Sequence, residues 1–122
     1  RALDALIKLH DSLGRPLQEE SRRDARWRTA EINYQEGYWP EAVAALTTFI
    51  REYPDDSERF EARFLNGRAL VAIGDEEGAK RQWDILQRSD PKGLYGGLAK
   101  MELDLLAWRQ GDLNRTLRGM GM

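Results

Sequence analysis

Cysteine is absent from this 122-residue chain, and histidine occurs once. Disulfide bridges and thiolate metal sites are therefore excluded, while the compartment is left open. No apolar run approaches the roughly 20 residues needed to cross a bilayer, which argues against direct membrane insertion of this segment. A basic excess is lacking too. Lys and Arg number 19 against 21 Asp and Glu, a net charge of −2, so nucleic acid and anionic membranes find little to hold. Strand-like alternation of apolar and polar residues is found nowhere, which points to an all-α protein. The chain starts at Arg1 without a charged-then-apolar leader, as a processed or excised form would.

What the chain does contain is a helical composition, 41% hydrophobic and 33% charged. That is too apolar for disorder and enough for one domain with a core, or a slice of a longer solenoid. The organising stretch is Phe60 to Pro91. Apolar residues at helical spacing predict two helices folded back on each other around Gly74-Asp75. The same layout recurs on either side: Gly37, Gly74 and Gly111 stand 37 residues apart and mark three predicted turns.

In chain order, Leu3, Leu6, Ile7, Leu9 and Leu13 define a first helix that Gly14 and Pro16 are expected to stop. In the 37-residue register Ala5 matches Ala42 and Leu9 matches Leu46. That helix therefore reads as the second half of an earlier repeat, with a simple capping helix as the alternative. A helix from Ser21 to about Glu36 follows, then Gly37, then a second from Glu41 to about Glu52 with Pro40 at its start. Ser57 or Asp56 is expected to cap the third, which carries Phe60, Phe64, Leu65, Leu70, Val71 and Ile73. Asp75 is expected to cap the fourth, with Ala79, Trp83 and Leu86 on its inner stripe. The last unit has two apolar stripes, one through Leu94, Leu98, Met101, Leu105 and Trp108, the other through Tyr95, Ala99 and Leu106. A helix apolar on two sides should pack on two sides. A short final helix is expected after Gly111-Asp112. The units are thus 1–19, a part-repeat; 20–56, repeat one; 57–93, repeat two; and 94–122, a partial third repeat or cap.

Groups that could carry chemistry are few. His10 has no HxxE or HxxxH partner and reads as a solvated helix-face residue. Asp55-Asp56 and Asp75-Glu76-Glu77 are explained by helix capping, and Ser12, Ser21, Ser57 and Ser89 have no histidine as a base. With no phosphate-cradling glycine loop either, the expectation is a protein that is not an enzyme and takes no metal or cofactor.

The recurring residues carry a resemblance. Gly67, Leu70, Gly74-Asp75, Ala79, Trp83 and Pro91 in one unit match Ala30, Asn33, Gly37-Tyr38, Ala42, Leu46 and Pro54 in the preceding one, and Ala107 with Gly111-Asp112 continue the series. Small residues where helices cross and large ones beyond them resemble the tetratricopeptide repeat family. The period of 37 exceeds the family's usual length of about 34 residues, and Tyr34 stands one place beyond the usual tyrosine. The longer unit and the Phe49–Ser57 link are similar to bacterial cell-envelope members, of the Tol–Pal-associated and outer-membrane assembly lipoprotein types.

The resemblance implies a right-handed α-α superhelix of antiparallel helix pairs, about two and a half repeats long. It also implies a concave edge on the first helix of each unit. Carried across, that edge holds Trp27, Glu31 and Tyr34, then Phe64, Arg68 and Val71, then Met101, Leu105 and Trp108. Two apolar rows of this kind would suit a peptide or amphipathic helix, with Arg68 and Glu31 setting its register. Several of these side chains could instead be core between helices. The lysine and asparagines with which some family members grip a C-terminal carboxylate are missing here. The expected function is a non-catalytic protein-interaction scaffold, with the bacterial periplasm or envelope favoured over the cytoplasm. The alternative is a structural module that self-associates, as a homodimer, within a larger envelope protein. A helical arm of an enzyme whose catalytic domain lies elsewhere is a third reading.

Overall fold

The computed structural model describes the backbone of residues 15–119 and the side chains of residues 18–111. Five helices occupy this span: α1 (Arg15–Gln35), α2 (Trp39–Glu52), α3 (Arg59–Ala72), α4 (Glu76–Ser89) and α5 (Leu94–Gly119). Each helix packs on the next in sequence, and α3 also touches α5. The result is an all-α, solenoid-like array in which neighbours in the chain are neighbours in space. The expected first helix and His10 lie outside the described residues.

Two turns set the array. Both end a helix with a glycine in the left-handed region, Gly37 at φ +76° and Gly74 at φ +88°. At the first, the Tyr38 amide donates to Asn33 O (2.9 Å) and the Gly37 amide to Tyr34 O (3.2 Å). At the second, Asp75 donates to Leu70 O (2.8 Å) and Gly74 to Val71 O (3.0 Å). The same six-to-one and five-to-two bonds thus satisfy the last carbonyls of α1 and α3. Asp75 then turns donor to acceptor, its Oδ1 taking the Gly78 amide at 2.9 Å to cap α4 as expected.

The third turn does not form. α5 runs through Gly111 to Gly119, and Gly111 has no positive φ. The reason lies seven residues earlier. Where the first two units carry Ala30 and Gly67, this one carries Asp104, which is exposed. A helix folding back here would press onto a carboxylate at the point where the other pairs approach most closely. Continuing the helix costs only the glycine penalty, roughly 1 kcal/mol relative to alanine. The opposite end also differs from expectation. α1 spans Arg15–Gln35 and includes Pro16, a residue that a helix tolerates in its first turn. No glycine or proline interrupts residues 17–36, so the helix extends across the unit boundary drawn between residues 19 and 20.

The core falls into two linked clusters. In the first, Trp27 tilts onto Phe49 at 5.0 Å between centroids, with Ala30, Ala42, Leu46 and Ala62 fully buried around them. In the second, Trp83 is fully buried beside Phe64, Leu86, Ala99 and Leu106. Its Nε1 donates to Phe64 O at 3.2 Å, so the indole enters the core with its polar atom satisfied. The two clusters solve one packing problem twice. Leu46 leaves room for Ala30, whereas Trp83 takes the space that only Gly67 vacates, because a Cβ on Gly67 would overlap the indole.

A polar clamp joins α1 to the link before α3. Arg23 donates from Nε to Asp56 Oδ2 (2.8 Å) and from Nη2 to Asp56 Oδ1 (2.7 Å) and Glu58 Oε2 (2.8 Å). Asp56 also accepts the Glu58 amide at 2.9 Å. It therefore serves as an anchor in the link, and α3 starts without a side-chain cap. The fork-to-fork hydrogen bonds from Arg23 hold the Asp56 carboxyl below the usual carboxylate range, against the opposing effect of burial.

Two outcomes are expected. Gly67→Ala should lower stability by about 1–3 kcal/mol in urea titrations, sterics beating the helix-propensity gain that alanine brings. Its cost should shrink in a Trp83→Leu background, which restores the Ala30–Leu46 combination; an unchanged cost would mean the notch is not what seats α4. Asp56→Asn should cost about 1–3 kcal/mol at neutral pH. Because the folded pKa of Asp56 is depressed, its contribution is full above the unfolded carboxylate value, about 3.9. It is lost as pH falls through the lower folded value, so the gap between parent and variant in a pH series of melts should close only in strong acid.

Candidate functional site

Of the nine residues expected on the concave edge, the structure brings three together. Tyr34 at the end of α1, Arg68 and Val71 on α3 line one cleft of about 270 Å³, with Trp39, Ala72, Trp83, Glu102 and Arg109. The cleft lies where the first helices of the units, α1, α3 and α5, face the start of α2. Its aromatic wall is a pair, Tyr34 meeting Trp39 edge-on at 5.4 Å and 77°. Val71 and Ala72 provide an aliphatic floor. Arg68 and Arg109 supply positive charge on either side, and Glu102 a single carboxylate between them in chain order.

The other six lie outside this cleft. Trp27 and Phe64 are each only 7% exposed. They are core residues, Trp27 against Phe49 and Phe64 between Trp83 and Tyr95. Glu31 is half-buried, and Met101, Leu105 and Trp108 are exposed along α5. The edge that α5 contributes to the cleft is Glu102 and Arg109, each one position beyond Met101 and Trp108. One residue is about 100° of helix rotation, enough to move a side chain out of the cleft. Trp39, Glu102 and Arg109 were missed by the repeat register. The signal that could have found Trp39 is its place in Tyr38-Trp39-Pro40, just past the turn that follows Tyr34.

Carboxylates gather near the start of α3. Glu31 on α1 and Glu58 beside α3 lie near enough to Glu61 to oppose its ionisation. Burial is the larger effect, and together they raise the Glu61 carboxyl above its ordinary value. Burial also raises the Tyr95 phenol, with Glu61 and Glu58 adding to it. Glu31, Glu58 and Glu61 thus lie near one another, whereas Arg68 and Arg109 line the cleft with Glu102.

A second groove, about 630 Å³, runs between α1 and α2 on the outer side of the first pair. Small residues line it, Ala25, Thr29, Ala44, Ala45 and Thr48, under a rim of Arg22, Arg26 and Glu41. One unit later, Ala62 and Asn66 stand in the register of Ala25 and Thr29, and both are buried beneath α2. Asn66 Nδ2 reaches Thr47 Oγ1 there at 3.3 Å.

Among the described residues no cluster of three or more His, Asp or Glu side chains could hold a metal ion, and no helix is long and apolar enough to cross a membrane. Comparison with protein-family models, with curated proteins and with solved structures finds no match for this chain.

The raised Glu61 carboxyl generates a prediction. Glu61→Gln should raise the melting temperature at neutral pH, because a carboxylate whose folded pKa is raised weakens the fold when ionised. That advantage should fade as pH falls through the carboxylate range and the parent's Glu61 takes up its proton. A variant less stable than the parent at neutral pH would show that Glu61 is held by a favourable contact instead.

Proposed function

We propose that the chain is a non-catalytic protein-interaction module that receives a peptide or helix on the concave face of its stacked first helices. The observation that carries this reading is the cleft at Tyr34, Trp39, Arg68 and Val71. An edge-on aromatic pair and an aliphatic floor with two arginines beside them suit an apolar side chain next to a carboxylate. They offer nothing obvious for bond-making chemistry. Removal of the apolar contact area from water would drive binding at roughly 25 cal/mol per Å², less the cost of ordering the ligand. The arginines would add orientation and on-rate more than raw affinity.

The tetratricopeptide reading is part of this proposal. It is supported by two identical glycine turns at a spacing of 37 and by the small-large pairs Ala30–Leu46 and Gly67–Trp83. A home in the bacterial periplasm or envelope follows only from the likeness of the Phe49–Ser57 link and the long unit.

The test is a displayed random-peptide library selected on the immobilised chain and counter-selected on a folded Tyr34→Ala, Arg68→Glu variant. Peptides that pair an apolar residue with an acidic one should be enriched on the parent, and binding should weaken about tenfold or more in the variant, as hot-spot truncations do. Peptides that bind both proteins equally would remove the cleft from consideration.

A further inference from the structure

α5 has one apolar face that the chain covers and another that nothing among the described residues covers. Tyr95, Leu98, Leu103 and the buried Ala99 and Leu106 meet the second core cluster. On the other side Leu94, Met101, Leu105 and Trp108 are 67, 61, 49 and 62% exposed. Single exposed apolar residues are ordinary on any surface. These four, with half-buried Leu98 between them, are spaced alternately by four and three positions. That is the seam of a coiled coil, in which such residues keep facing a partner helix turn after turn.

The chain's own architecture does not close this seam as α4 closes the face of α3. Asp104 stands in the register of Gly67, and α5 continues straight past Gly111. A partner helix must therefore approach more widely spaced, side chain against side chain, as coiled-coil helices do.

We infer that α5 pairs in parallel, about a two-fold axis, with α5 of a second copy of this chain. Leu98 and Leu105 occupy a positions, and Leu94, Met101 and Trp108 occupy d positions. Charge decides both partner and direction. In this frame Asp104 is a g position and Arg109 the following e position, the two sites that face each other across a parallel pair. A second copy thus places Asp104 against Arg109 twice, once on each side of the axis. Neither residue has an ion-pair partner among the described residues. An antiparallel pair that layered Met101 on Leu105 would instead bring Asp104 near Asp104 and Glu102 near Glu102, like against like.

The inference does not rest on the cleft reading. The seam uses Met101 and Leu105, whereas the cleft depends on Tyr34 and Arg68, and Glu102 and Arg109 border both. Sedimentation equilibrium over a concentration series should give a dimer mass. Met101→Lys, Leu105→Lys should give a monomer whose circular dichroism is unchanged, since both side chains are exposed. Asp104→Arg should weaken the dimer at least tenfold, and adding Arg109→Asp should restore it. Because the chain has no cysteine, Leu105→Cys alone should oxidise to a disulfide-linked dimer. A folded parent that stays monomeric throughout, a charge swap that does not restore the dimer, or cross-linking of Met101→Cys to Leu105→Cys in preference to Leu105→Cys with itself would each overturn the inference.

Discussion

The indole of Trp83 lying in the notch at Gly67 is the contact on which the rest of the array depends. It sets how closely α4 approaches α3, and it buries the largest fully buried side chain with its one polar atom bonded to Phe64 O. Phe64 is trapped between Trp83 and Tyr95 as a result, which ties the position of α5 to the same contact. A smaller residue at 83 would leave a void, and a larger one at 67 would push the helices apart. Interiors packed to crystal density allow neither at low cost.

Around that contact the remaining geometry follows from devices with little freedom. The two glycine turns satisfy the same carbonyls in the same way, so the first two helix pairs are folded back alike. The Arg23 clamp then fixes the link between pairs, because a planar guanidinium meeting Asp56 in two parallel bonds tolerates little rotation. Arg23 also lies over the Phe49 ring, 5.4 Å from its centroid. The clamp is thus seated on the first core cluster rather than hanging in solvent. With turns and link both constrained, Tyr34 of α1, Val71 of α3 and Arg109 of α5 come to one cleft.

How much of this was legible beforehand depends on the range of the interaction. Asp75 as a cap, Gly37 and Gly74 as turns, and Ala42, Leu46, Ala79 and Trp83 as core are local or periodic features, and period and cap chemistry express them directly. Asp56 is different. Its partner Arg23 is 33 residues away, so a helix-capping role was the cheaper reading of an acid before a helix. Trp27 and Phe64 show the limit of carrying a concave edge from unit to unit. Their spacing is right, yet Phe49 and Tyr95 cover them, and no one-dimensional register states which neighbour arrives on which side. Trp39, Glu102 and Arg109 were invisible for a related reason: on α5 the cleft is lined one position beyond the residues that the 37-residue register aligns.

Asp104 shows how one residue can change the role of a whole element without changing its secondary structure. Aspartate is a helix former between the glycine and the alanine of the other units, and the apolar stripe through Met101, Leu105 and Trp108 is intact. What is lost is the small contact surface that allows a helix of the same unit to lie close. Denied that partner, α5 keeps its backbone bonds through Gly111 and carries two apolar faces, with one buried against α4 and one open. An open face of this size is costly in water. The same carboxylate that excludes a close helix is placed, with Arg109, to favour a more distant one. Close approach through small residues and wider approach through a flanked apolar seam are alternative solutions for one surface, and the side chain at 104 selects between them.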